Sequence, residues 1–307
     1  MGLKINNIVK KYGDKTVVNG ISFAIDNPGV YALLGTNGAG KTTTIRIILG
    51  MIDYESGSVK WNDKDINASD INIGYLAEER GLYPKYSLMD QLMYFGRLRG
   101  MNTSDIKKAI KYWSERLEVE KYVYPDKKKK YMKADQLSKG NQQKIQLMAA
   151  LISNPELIIL DEPLSGLDPV NAELFKSIIH EEINKEKYII MSSHQMSTIE
   201  EFCSDITIMN KGNAVLQGNL NEIKKSYGRI NLELKCDNDI KDIISRFEFA
   251  NTEYTPDGYS IRLREEEQAM SLLKELMNNN IDIVNFQRRE PSLHEIFIEK
   301  VGESNEK

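Results

Sequence analysis

Apolar and polar side chains alternate in places over the first 30 positions, the period of a half-buried strand. Leu3, Ile5 and Ile8-Val9 form one run, and Val17-Val18 with Ile21 to Ile25 form the next, separated by a Gly13-Asp14 turn. Val30 to Leu34 is a short unbroken apolar run that enters a glycine-rich loop, and Lys41 to Ile52 follows with helical spacing. Strand, glycine-rich loop, helix is the opening of an α/β nucleotide-binding unit. Residues 58 to 76 return to short strands, the last from Ile71 to Leu76. From Ser87 to about Tyr124 the period becomes helical: Leu88, Leu92, Phe95 and Leu98 repeat at three- and four-residue steps, as do Ile106, Ile110, Trp113 and Leu117. Ser87 with Asp90 predicts a capped helix start.

The run Leu157 to Leu160 is continuously apolar, as in a strand buried on both faces. A helix near Asn171 to Ile183, a strand at Tyr188 to Met191, another helix and a strand at Ile206 to Met209 follow. Strands alternating with helices argue for a parallel sheet. Beyond about Asn219 the order is strand (Ile230 to Lys235), helix (Ile240 to Phe247), strand (near Thr252), strand (Tyr259 to Leu263), helix (Glu266 to Met277) and strand (Ile281 to Phe286). That is β-α-β-β-α-β, the ferredoxin-like order. An amphipathic helix carrying Leu293, Ile296-Phe297 and Val301 comes last. No internal repeat is evident.

Composition narrows the function without choosing it. The 41 Lys and Arg against 45 Asp and Glu leave a net charge of −4, so bulk electrostatics argues against a nucleic-acid binder. Cys203 and Cys236 are the two cysteines, too few for a disulfide scaffold or a four-Cys zinc site, and fit a reducing compartment. The longest apolar run, Leu147 to Ile152, falls far below the roughly 18 residues of a membrane helix. Met1 to Asn6 alternates instead of offering a signal-peptide core. The expectation is a chain that neither crosses a membrane nor is secreted. Asp126 followed by Lys127 to Lys130 reads as a solvated loop in preference to an anion site.

Two motifs carry chemistry. Gly35-Thr36-Asn37-Gly38-Ala39-Gly40-Lys41-Thr42 fits G-x-x-x-x-G-K-[ST], with Thr43 next in the helix. Its glycines let backbone N–H groups turn toward phosphate oxygens, and the following helix adds the positive end of its dipole. Lys41 then reaches the β and γ phosphates, and the Thr42 hydroxyl faces Mg²⁺. The apolar run at Leu157 to Leu160 ends in Asp161 and Glu162, one placed for Mg²⁺ and the other to polarise a water for attack on the γ phosphate.

Further residues, in order, give a resemblance to a family. Leu137-Ser138-Lys139-Gly140-Asn141-Gln142-Gln143 resembles the signature motif of ABC-transporter ATPases, and stands about 20 to 25 residues ahead of the acidic pair. Ser165-Gly166-Leu167-Asp168 resembles the family's D-loop, His194 its switch histidine, and Tyr12 the aromatic residue that stacks on adenine. The resemblance implies an α/β P-loop cassette over residues 1–218, with a parallel-sheet core, antiparallel strands at the start and a helical subdomain at about 84–155. Residues 219–307 then form a small α+β accessory domain.

It also implies an ATPase that pairs head to tail with a second ATP-binding subunit, a homodimer above all. Ser138 and Gly140 close over ATP held by the other chain, with Asp168 in the D-loop beside them. A membrane permease is the implied partner, touching the segment from Glu79 to Tyr86, and the implied location is the cytoplasmic face of the membrane. No nucleic acid is expected. Three positions depart from the commonest pattern: Lys139 replaces Gly and Asn141 replaces Gln in the signature, and Glu78 stands where most members carry a metal-contacting Gln. A carboxylate is a good hard ligand, so Glu78 remains a candidate for Mg²⁺. These variants, with the C-terminal appendage, resemble the sodium-extrusion and ABC-2-type exporter ATPases. The rival reading is a soluble ABC ATPase acting on ribosomes or DNA. Against it stand the single cassette and the lack of sustained heptads. A P-loop GTPase is disfavoured because Asn210-Lys211-Gly212-Asn213 lacks the acid that reads guanine, and a purely structural ATP-binding module is disfavoured by Glu162.

Overall fold

In the computed structural model, the alternating start of the chain becomes an antiparallel hairpin of β1 (Leu3–Tyr12) and β2 (Lys15–Ile25). Residues 2–66, 71–79, 81–124 and 131–305 are described. Leu3, Ile5 and Ile8 on β1 and Val18, Ile21, Phe23 and Ile25 on β2 point into one core. The chain then runs through β3 (Gly29–Gly35), α1 (Lys41–Ile48), β4 (Ser56–Trp61), β5 (Lys64–Asp65) and β6 (Ile73–Leu76). Helices α2 (Leu88–Leu98), α3 (Thr103–Arg116), α4 (Glu120–Val123) and α5 (Lys139–Leu151) come next. The remainder of this unit is β7 (Leu157–Asp161), α6 (Pro169–Asn184), β8 (Tyr188–Ser193), α7 (Met196–Glu200), β9 (Cys203–Asn210) and β10 (Asn213–Asn219).

Two sheets result. One is antiparallel, in the order β2-β1-β4-β5; the other has the order β10-β9-β3-β8-β7-β6. Within the second, β9, β3, β8, β7 and β6 run parallel. Its central strands are apolar along their length because both faces are covered, and every residue of β7 is buried. The register decides the function. Leu34 pairs with Ser193, and Asp161 pairs with Ser192, so the loops after β3, β7 and β8 leave the same edge of the sheet. Ligands of open parallel sheets collect at that carboxyl-terminal edge.

The helical stretch begins where the capping pattern places it. Ser87 accepts a hydrogen bond from the Asp90 amide at 3.1 Å, and Asn102 caps α3 in the same way. Gly96 lets α2 and α3 approach, since a Cβ there would sit 2.6 Å from Ile106 Cγ1. No helix of the described residues is long and apolar enough to cross a membrane. The lysine run at 127–130 lies outside the described residues.

The chain divides into two units, Met1–Gln217 and Gly218–Lys307. After α8 (Leu220–Tyr227), the second unit contains β11 (Asn231–Cys236), α9 (Lys241–Ile244), β12 (Asn251–Thr255), β13 (Gly258–Arg262), α10 (Glu267–Asn278), β14 (Ile283–Arg289) and α11 (Leu293–Asn305). Its sheet order is β12-β13-β11-β14 with antiparallel neighbours, the ferredoxin-like arrangement that the element order implies. Leu232, Leu234, Ile261, Leu272 and Leu276 lie at its core. One helix is shorter than its periodicity suggests. Instead of running from Ile240 to Phe247, α9 covers four residues, because Ser245 turns its hydroxyl back to the Asp242 carbonyl and Phe247 stacks on Phe249 at 5.4 Å. Two elements, β10 and α8, go beyond the sequence reading. β10 is half-exposed and flanked by Asn and Gly, which dilutes its strand pattern.

The parallel core sets a first test. Ile190, fully buried in the central strand β8, loses its packing on truncation; Ile190→Ala is expected to cost about 2–5 kcal/mol, read as a lower urea midpoint of the first unit.

Candidate nucleotide site

The loop between β3 and α1 takes its shape from residues without side chains. Gly38 and Gly40 adopt φ of 79° and 105°, and a Cβ on Gly40 would sit 2.7 Å from the Val17 carbonyl oxygen. Thr36, Asn37 and Gly38 are exposed, while Ala39 is buried and accepts a hydrogen bond from the Gly212 amide at 3.1 Å. That bond pins the loop to the turn between β9 and β10. Gly40 caps α1 with no side-chain acceptor, and the first turn carries no acid, so the helix start presents its dipole unopposed. Thr42 and Thr43 sit half-buried in that first turn.

Lys41 folds back over this loop. Its buried ammonium donates to the Gly35 carbonyl at 2.7 Å and lies 3.6 Å from Glu162 Oε1. The other oxygen of Glu162 is 2.9 Å from Nδ1 of His194, whose ring is about half exposed at 48%. Glu162 itself is buried and holds φ at +51°, a left-handed conformation unusual for a residue with a side chain. Two bonds from its amide hold that conformation, one to Ser192 Oγ at 3.1 Å and one to the Ser192 carbonyl at 3.2 Å.

Asp161 is buried one residue earlier. Ser192 donates its hydroxyl to Oδ1, while Oδ2 accepts no hydrogen bond among the described residues. Burial pushes the Asp161 carboxyl above its ordinary pKa and the charge of Glu162 adds to this, while the hydroxyls of Ser192 and Thr42 and the ammonium of Lys41 pull the other way. Tyr75, at the end of β6, is pushed up to about 12 by burial, with the Asp161 charge adding to it.

The other sequence candidates stand apart from this cluster. Tyr12 is exposed at the hairpin turn, with the Lys10 ammonium 5.2 Å above its ring. Glu78 is exposed beyond β6 and forms no ion pair or hydrogen bond with the described residues. Ser138 caps α5, and Gly140 lies in its first turn against the D-loop region: a Cβ there would sit 3.3 Å from Asn171 Nδ2 and 3.8 Å from Leu167. Gln143 donates to the Pro163 carbonyl at 2.9 Å, a second brace to the same segment. Asp168 caps α6, and hydrogen bonds from Asn171 hold its carboxyl below the usual range. Between α1, β6, α2 and α5 lies a cavity of about 810 Å³, lined by Leu49, Met51, Tyr75, Phe95, Leu98 and Gln146 among others.

Residues 18–165 match the family model described as ABC transporter, and residues 218–301 match the one described as ATP-binding protein DrrA1-3-like, C-terminal domain. The chain is 42% identical over 301 residues to an uncharacterized ABC transporter ATP-binding protein, YhaQ, of Bacillus subtilis (strain 168), covering 98% of each. It is 29% identical, again over 98% of each, to the linearmycin resistance ATP-binding protein LnrL of the same organism. Among solved structures, an ATP-binding subunit of an ABC transporter superposes with a TM-score of 0.67 at 25% identity, over 74% of this chain and 94% of that one. The chain belongs to the ABC transporter ATP-binding family.

As an ABC ATPase it binds ATP and hydrolyses it to drive transport. In this cassette, the sheet edge gathers the phosphate loop, Asp161, Glu162 and His194 into one cluster, while Ser138 and Gly140 stand at the start of a helix braced against the D-loop. Sequence reasoning passed over Ser192. Thirty-one positions separate it from Asp161, and only the β7–β8 register brings the two together. A polar residue at the end of an apolar strand beside an acid-bearing strand is the signal that could have found it.

The raised pKa of Asp161 gives a test with a definite sign. Its ionised form is less stable folded than unfolded, so the cost is absent below the unfolded pKa and complete once the pH passes the folded value. Asp161→Asn is therefore expected to raise the melting temperature of the nucleotide-free protein at neutral pH, by about 2–4 °C for each kcal/mol gained. The gain should shrink as the pH falls through the raised folded pKa toward the ordinary carboxylate value, in thermal melts taken from about pH 4 to 8.

Proposed function

We propose that this chain is the ATPase subunit of an exporter, working as a head-to-tail dimer beneath a membrane permease. The observation that carries the catalytic part is the buried Glu162 carboxylate held between the Lys41 ammonium and the His194 ring. Lys41 reaches the β and γ phosphates of ATP once they displace it from the Gly35 carbonyl. Backbone N–H groups of Gly35 to Thr43 cradle the phosphate oxygens, and Tyr12 offers its exposed ring to the adenine. Glu162 accepts the proton of the attacking water as the new P–O bond forms and the bond to the β phosphate breaks. His194 keeps that carboxylate oriented and, being half exposed, meets the γ phosphate and the water from the solvent side.

Asp161 fits a magnesium ion: its buried Oδ2 accepts no hydrogen bond among the described residues, and the Thr42 hydroxyl belongs to the same group of side chains. Asp161 and Thr42 would hold the ion, with Glu78 as a further carboxylate ligand. Bound there, Mg²⁺ supplies charge neutralisation for the transferred phosphoryl group.

Ser138 and Gly140 lie on the face braced by the D-loop, apart from the chain's own phosphate loop, so they serve the ATP of a second subunit, with Asp168 fixing the D-loop between the two. The cavity beside β6 and α2 is the docking place of a permease helix, next to the Glu79–Tyr86 segment. Export is the direction favoured by LnrL, named for resistance to linearmycin. The location that follows is the cytoplasmic face of the membrane, held there by the permease. Residues 1–218 make the catalytic cassette and 219–307 the accessory domain.

Two substitutions test the chemistry. Glu162→Gln is expected to lower turnover about 10²- to 10⁴-fold while retaining ATP and accumulating ATP-bound dimers in light scattering. Unchanged turnover removes Glu162 as the base. Lys41→Ala is expected to weaken ATP binding itself, measured by equilibrium titration; wild-type affinity would remove the lysine from the phosphate site.

A further inference from the structure

The serine at the start of α5 is not left to rotate freely. A hydroxyl offers one proton and two lone pairs. Ser138 Oγ accepts from the backbone N–H of Asn141 at 3.3 Å and from the side-chain amide of the same residue, Nδ2, at 2.9 Å. The second proton of that amide goes to the hydroxyl oxygen of Tyr122 at 3.0 Å. Tyr122 lies on α4, anchored from below by the buried Val119 and Val123, and the Lys121 ammonium sits 5.0 Å over its ring. Both lone pairs of Ser138 are engaged by donors from one side, so its proton is directed away from the protein, into solvent, where Ser138 is exposed. An exposed hydroxyl oriented as a donor is what a phosphate oxygen requires.

We infer that Asn141 and Tyr122 are positioning residues that hold the signature serine as an outward hydrogen-bond donor to the terminal phosphate of ATP bound by a second chain. The inference rests on the dimeric reading of Ser138 given above. It assigns a purpose to the departure at position 141. An asparagine side chain is short enough to return to its own helix cap and still reach Tyr122; a glutamine carries its amide one methylene further out. The short helix α4 thereby becomes part of the ATP-closing surface through Tyr122.

The test uses the purified full chain, with steady-state ATPase kinetics on Mg-ATP and equilibrium binding of a fluorescent ATP analogue at high dilution. Ser138→Ala is expected to lower kcat about tenfold, Asn141→Asp by a similar factor and Tyr122→Phe about threefold, while binding to the dilute monomer changes less than about twofold in each. Asp keeps the size of Asn but can only accept, so it cannot donate to Ser138. In the Ser138→Ala background, Asn141→Asp and Tyr122→Phe should cause no further loss, since the group they orient is gone. A merely structural role would lower kcat equally in both backgrounds, and that result overturns the inference. So does full turnover in Asn141→Asp, which would show the side chain acting as acceptor. If Ser138→Ala itself keeps full turnover, the reading of the signature falls and the positioning role with it. If Ser138→Ala loses turnover while Tyr122→Phe and Asn141→Asp do not, the positioning role alone falls.

Discussion

A lysine ammonium and a glutamate carboxylate held 3.6 Å apart, each more than nine-tenths hidden from solvent, are the constraint on which the site depends. Burying two charges is costly unless they are closely paired and fully hydrogen-bonded, and here the pair is left slightly open. Lys41 gives its best hydrogen bond to the Gly35 carbonyl, and Glu162 gives one oxygen to His194 and the other to the lysine. These contacts are good enough to keep the charges in place and weak enough to yield to phosphate oxygens and a water. The left-handed backbone at Glu162 belongs to the same arrangement, a local strain held by two bonds to Ser192 that aims the carboxylate into the cluster.

The fold serves that geometry by aligning strand ends. Parallel pairing of β3, β8 and β7 brings the phosphate loop, the Ser192–His194 segment and the acidic pair to one edge, so groups far apart in the chain meet without a long loop between them. Asp161 completes the cluster with a buried oxygen that accepts no hydrogen bond among the described residues. That oxygen is the observation behind the proposed magnesium ion. The same unit presents Ser138 and Gly140 on a different helix, tied by Gly140 and Gln143 to the D-loop and not to the phosphate loop. Under the proposed pairing, these residues and the phosphate loop serve nucleotide sites that two chains complete.

Much of this was readable from the order of side chains. The central strands announce themselves because a strand covered on both faces must be apolar throughout, as Leu157 to Leu160 is. The ferredoxin-like order of the second unit follows from alternating runs whose caps and turns are local. The phosphate loop is legible for a steric reason, since its glycines and lysine are the residues that such a backbone needs. What could not be read depends on register or on competition between weak local forces. Ser192 matters only because β7 and β8 pair in one register. α9 stops early because Ser245 and the Phe247–Phe249 stack outcompete another helical turn. The proposed roles of Tyr12 and Glu78, both exposed, depend on where a ligand sits, which the pattern of one chain does not encode.

The central claim is that hydrolysis requires two chains, because each supplies what the other's site lacks. It is tested most directly by measuring specific ATPase activity and molecular mass together over a dilution series of the purified protein with Mg-ATP. Specific activity should fall in step with the dimer fraction and vanish as the monomer becomes the only species. Full specific activity in samples shown by mass to be monomeric would contradict it.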